Sequence, residues 1–145
     1  MSAVDRPQAA MMLCDFAQVA DGKLYILGGG WSQINMQDPD APVFVTLAVD
    51  LSIPWDLANR PIPIAVDLVT EDYEPFVPRG EEEPLRMEGG ITVGRPPWAR
   101  AGVPLHIPLV FPFPPIFGLQ QGGYVVRLFV DGNDTETAPF QIVPA

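Results

Sequence analysis

The 145-residue chain has one cysteine, one histidine and one lysine, and each scarcity excludes a class of chemistry. Cys14 has no partner for an internal disulfide, and with His106 as its only possible companion it cannot complete a Cys/His zinc site. Any Ser-His-Asp or Cys-His arrangement would have to use His106, and no Gly-x-Ser-x-Gly elbow is present. Eight Lys and Arg side chains face 18 acidic ones, for a net charge of −10. Binding nucleic acid requires a cationic stripe that displaces counterions, so neither nucleic acid nor an anionic membrane surface is an expected partner. No run approaches the ~20 apolar residues of a transmembrane helix. The start, "MSAVDRPQAAMMLC", lacks the basic and apolar regions of a signal peptide. Met11 to Cys14 reads as strand rather than lipoprotein cleavage site, for want of a hydrophobic stretch before it. The expected location is cytoplasmic.

Helical periodicity is also missing, which removes the crossover helices that parallel β-α-β units need. Alternation is present instead. The 18 prolines and 13 glycines are spread between short apolar runs, the pattern of many strands joined by turns. The length fits one domain, able to bury roughly 68–70% of its unfolded surface without a disulfide or metal. Residues 1–10 read as a loose tail and 11–145 as a β-sandwich domain. Val43, Val45, Leu47, Val49 and Leu51 share one strand face; Ile62, Ile64, Val66 and Leu68 share another. Between them, "SIPWDLANRP" predicts one helical turn. Leu85, Met87, Ile91 and Val93 define a weaker strand, with a bulge expected at Gly89-Gly90. "NMQDPDAP", 35–42, reads as a loop, and "DGNDTE", 131–136, as the turn of a last hairpin.

In "PLHIPLVFPFPP" the apolar Leu105, Ile107, Leu109, Phe111 and Phe113 are all odd, while Pro104, Pro108 and Pro112 are all even. The missing N–H donors therefore lie along one side, which predicts an edge strand blocked against further pairing. The whole pattern implies an all-β, single antiparallel sandwich of about eight strands, immunoglobulin-like or C2-like. The immunoglobulin-like resemblance rests on the closing hairpin, an aromatic after "QQGG" followed by a hydrophobic strand, a turn and "FQIV".

"DGKLYILGGGW" is the segment most like a motif. A phosphate loop would continue into a helix, but "WSQINMQDPDAP" follows; a kelch blade would recur, and it does not. What remains is a returning hairpin strand, Lys23 to Leu27, whose glycines let the backbone bend or another segment approach. Both faces of that strand are apolar, Leu24 and Ile26 on one and Tyr25 and Leu27 on the other. It is therefore expected to be covered or to meet a partner.

No convincing nucleophile, base, metal site or cofactor site emerges, so the chain is not expected to be an enzyme. Cys14 reads as a buried inert thiol and His106 as a surface histidine. The expected binding residues are Trp31, Trp55, Arg60, Arg95 and Trp98, because loop Trp and Arg side chains concentrate interface energy. Three readings follow: a non-enzymatic interaction module with a protein partner or a second copy; a sandwich that binds carbohydrate or another small molecule through loop tryptophans; and a calcium-dependent module using 71–83 and 131–136.

The run from "MLCDFAQVADGKLYILGGGW", through "IPWDLANR" and "VGRPP", to "GGYVVRLFVDG" resembles a family of small bacterial proteins of unknown function over roughly residues 12–143. The resemblance implies a compact bacterial β-domain and transfers no activity. It marks the glycine triplet, Trp55, Asp56, Asn59, Arg60, Gly94, Arg95 and Pro96 as motif positions without roles.

Overall fold

The computed structural model describes residues 6–145. It is all-β, with nine strands: β1 (Gln8–Ala20), β2 (Lys23–Gly29), β3 (Gln33–Met36), β4 (Thr46–Ile53), β5 (Pro61–Thr70), β6 (Arg86–Thr92), β7 (Leu105–Pro112), β8 (Gly122–Val130) and β9 (Asn133–Pro144). Among the described residues one 3-10 turn, Trp55–Leu57, starts after Pro54. The strands form two packed sheets, ordered β2-β1-β4-β7 and β3-β9-β8-β5-β6. The core lies between them. Val45, Leu47, Val49, Leu51 and Ile53 from one sheet meet Ile62, Ile64, Val66, Leu68, Val126 and Leu128 from the other, all buried. The alternation read in these segments is thus the inward half of each pleat. No helix among the described residues is long and apolar enough to cross a membrane.

β7 is an edge strand, as the proline parity requires. The Phe113 N–H donates to the Val45 carbonyl, so odd residues turn toward β4 and the even Pro108 and Pro112 face the open side. Both Asp-Gly pairs are tight turns with positive φ at each residue: Asp21 (52°) and Gly22 (71°), then Asp131 (54°) and Gly132 (81°). This is the geometry whose twist matches a two-residue hairpin.

Several expectations need correction. The strands number nine against the expected eight or so, and residues 35–36 of the expected loop belong to β3, which runs parallel to β9 and pairs Ile34 with Ile142. Gln8 to Ala10 of the expected tail are strand, paired with Asp50 to Ser52, while residues 1–5 of that tail lie outside the described residues. Gly89 and Gly90 form no bulge: β6 runs against β5 in unbroken register from Arg86 to Thr92. The last turn is only Asp131-Gly132, and Asn133 to Glu136 already belong to β9. The shift occurs instead within β8–β9, between Leu128 and Phe129.

Candidate interaction site

The glycine triplet is where the chain leaves one sheet for the other. β2 belongs to the first sheet and β3 to the second. Gly28 and Gly30 have φ of +59° and +85°, values that L side chains resist. A Cβ on Gly28 would collide with the Asp15 carboxylate, and one on Gly29 would lie 2.8 Å from Ile26 Cγ2 and from Met12 Sδ. The glycines thus serve both expected purposes, a bend and a close approach.

The bend has a consequence for the β1–β2 hairpin. β1 pairs with β4 only as far as Cys14; from Phe16 to Ala20 its partner is β2. Ala17 and Ile26, opposite one another, pack with Cys14, Ala48 and Val110 on the outer face of the first sheet. One side of the hairpin is therefore covered by the body of the protein at Ala17 and Ile26, though Val19 nearer the turn is 42% exposed. The other side is not. Phe16 and Leu27, directly paired, are 52% and 67% exposed, and Tyr25 beside them is 52% exposed. An apolar cluster of this kind on an exposed hairpin marks a contact surface.

Cys14 lies under the hairpin with no exposed surface. Its thiol donates to the Thr46 carbonyl at 3.5 Å. Burial, reinforced by the Asp15 charge, raises its pKa above the ordinary value. It has the buried, protonated character of an inert thiol. His106 is exposed, with Nδ1 3.1 Å from Asp50 on the outside of the same sheet.

The loop residues divide between the two ends of the sandwich. Trp55 follows the end of β4, and Arg95 reaches it from the β6–β7 connection. The Arg95 guanidinium lies 4.3 Å over the indole and donates to the Trp55 carbonyl at 2.7 Å. Arg60 precedes β5 at this end and is bonded to Asp131 of the last hairpin turn at 3.0 Å. Trp98, on the same β6–β7 connection, is 80% exposed.

Trp31 lies at the opposite end, near Leu13 and Gln141, with its ring edge-on to Phe140 at 6.1 Å between centroids. The ten residues of β5 separate the two ends by roughly 30 Å. Trp31 lines an open cleft of about 660 Å³ with Asp15, Ile34, Met36, Asp38 and Phe44. Its indole N–H is buried without a hydrogen-bond partner. The five residues therefore do not form one surface: Trp55 and Arg95 touch, Arg60 and Trp98 share their end, and Trp31 stands apart.

Two features escaped the sequence reading. On the outer face of the second sheet, Arg127 donates to both Asp67 oxygens, Nε at 2.9 Å and Nη2 at 2.7 Å. Arg86 stands 3.7 Å from the same carboxylate, and both guanidinium groups lie over the Phe129 ring. The hydrogen bond to Asp67, opposed by partial burial, raises the Arg127 pKa further. Alternation with Ile64, Val66 and Leu68 predicts an exposed Asp67 on the outer face; instead it is buried there at 8% exposure by Arg127 and Arg86, a neighbourhood that only the pairing of β5 with β8 and β6 reveals. The second feature is the exposed trio Phe16, Tyr25 and Leu27. Tyr25 and Leu27 are legible as a second apolar face; Phe16 is not, because simple alternation puts it on the same face as Cys14, which is buried.

No group of three or more His, Cys, Asp or Glu side chains converges among the described residues. The acidic stretches 71–83 and 131–136 thus supply no clustered set of the carboxylates that calcium prefers.

No curated protein matches the chain. Among solved structures it is similar to the Pseudomonas fluorescens alkylpurine DNA glycosylase AlkC bound to DNA containing an abasic site analog. That similarity has 16% identity and a TM-score of 0.43, and covers 97% of this chain and 31% of the glycosylase chain. Over residues 9–143 the sequence matches the model of a family of unknown function (DUF6941), and the chain belongs to that family.

Proposed function

We propose that the chain is a non-enzymatic interaction module that contacts protein through the outer face of the β1–β2 hairpin. The observation that carries this reading is the juxtaposed Phe16, Tyr25 and Leu27, each at least half exposed on a hairpin whose other face packs at Ala17 and Ile26. Aromatic side chains in such a position bring large contact area at low entropic cost. The setting is cytoplasmic, where a single unpaired thiol persists. Photo-crosslinking in cells tests the reading. A photoreactive residue at Leu27 should yield discrete protein adducts, whereas one at Glu88, on the far sheet, should yield none. Absence of any adduct at Leu27 would contradict it.

A second reading is favoured by Trp31, whose buried N–H lacks an acceptor beside the cleft it lines. The cleft would take a small molecule carrying a hydrogen-bond acceptor and an apolar body. With Trp55 and Trp98 replaced by Phe, Trp31 fluorescence should change on titration with such ligands. A flat response across a broad glycan and metabolite panel would remove this reading.

A further inference from the structure

We infer that the partner of the hairpin is a second copy of the chain, joined by antiparallel pairing of β2 with β2. This rests on the reading of the hairpin as the interaction surface and names its occupant.

The four sheet edges differ in how they discourage pairing. β7 has prolines facing its open side. β3 is only four residues long. β6 carries Arg86 and Glu88, bonded to each other at 2.7 Å, and two glycines. β2, by contrast, presents Leu24, Tyr25, Ile26 and Leu27 in succession without a proline or charge among them.

The turn geometry says which amides are free. A two-residue turn closes on a hydrogen-bonded pair, here Ala20 and Lys23, and such pairs recur at every second residue. The amides of Lys23, Tyr25 and Leu27 are thereby turned toward β1, and those of Leu24 and Ile26 toward the open edge. A two-fold axis at Tyr25 sets Leu24 of one copy opposite Ile26 of the other, twice, so that both residues exchange hydrogen bonds. The left-handed backbone at Gly28 breaks the regular pleat just before the strand ends at Gly29 and limits the register. The product is a four-stranded sheet, β1-β2-β2-β1, with Phe16, Tyr25 and Leu27 of both copies on one continuous face.

Taking about 200 Å² for a whole aromatic side chain, the three exposed side chains offer roughly 300 Å² per copy. A total of about 600 Å² lies below the ~1,200 Å² of standard interfaces, so the backbone pairing is needed and the dimer is a weak one.

Sedimentation velocity of the full chain over about three decades of concentration, up to about 0.5 mM, reads this directly. The wild type should pass reversibly from monomer to dimer. Leu27→Glu should raise the midpoint concentration at least about tenfold, as should Leu24→Pro, which removes an open-edge donor as the β7 prolines do. Should Leu24→Pro fail to fold, Leu27→Glu decides, because that side chain is two-thirds exposed. A wild type that stays monomeric, or variants that dimerise as it does, would overturn the inference. If the wild type is monomeric while Leu27 still crosslinks to a different protein in cells, only the second-copy assignment falls. If Leu27 crosslinks to nothing as well, the interaction reading falls with it.

Discussion

The carboxylate of Asp15 occupies the space that a Cβ on Gly28 would fill. Asp15 and Gly28 lie across from each other where the β1–β2 hairpin departs from the four-stranded sheet, so their contact governs how the hairpin is carried. Gly28→Ala adds both this collision and the left-handed strain of a φ of +59°. It should destabilise the fold by about 2–4 kcal/mol. Asp15→Ala in the same chain should recover the steric part and leave the backbone cost of about 1–2 kcal/mol. Urea unfolding of the single and double variants measures both. Full recovery in the double variant would mean that the backbone conformation carries no strain.

Asp67 answers to Arg127 in a comparable way on the other sheet. Its side chain is 11% exposed and that of Arg127 is 22% exposed, so removing the carboxylate strands a largely enclosed cation. Asp67→Ala should cost about 2–4 kcal/mol, somewhat less than a fully buried pair because Arg127 retains some solvent and the Phe129 ring. Replacing both residues with apolar side chains of similar size should recover much of the loss. A single variant as stable as the wild type would show that the pair contributes nothing.

Cys14 should resist thiol reagents in the folded protein and react only as the chain opens, because it is fully buried. Its folded pKa is raised above the ordinary 9.0. Above that pH the unfolded thiol ionises while the folded one stays protonated. The unfolded state then binds fewer protons, and stability falls as pH rises from the ordinary value toward the raised one. Cys14→Ala should remove this part of the alkaline slope. Rapid labelling of native protein at neutral pH would contradict the burial.

The prolines of β7 should act as blocks to association rather than as supports of the fold. Pro108→Val with Pro112→Val restores two donors on the open side and should change stability by less than about 1 kcal/mol. Light scattering should then show more aggregation than in the wild type. An unchanged aggregation propensity would mean that the prolines do not guard that edge.

Legibility followed the range of the interactions. The β7 edge was readable because proline parity is a local property that does not depend on knowing the neighbouring strand. The Asp-Gly turns were readable for the same reason. The pairing of β3 was not: Gln33, Ile34, Asn35 and Met36 offer only two apolar positions, and their partner, β9, lies about a hundred residues downstream. Gln8 to Ala10 are small or polar and became strand only because β4 extends alongside them. The two apolar faces of β2 were visible in the sequence, but which face is covered depends on Ala48 and Val110 of β4 and β7, which pack with Ile26. The pairing of Trp55 with Arg95 spans forty residues and required the fold.

Amide hydrogen exchange along β2, followed as a function of protein concentration, tests the central claim most directly. On passing from dilute to concentrated solution, the amides of Leu24 and Ile26 should gain protection. Those of Lys23, Tyr25 and Leu27, already bonded within the hairpin, should change little. Exchange at Leu24 and Ile26 that is independent of concentration would contradict the pairing of two copies through this edge.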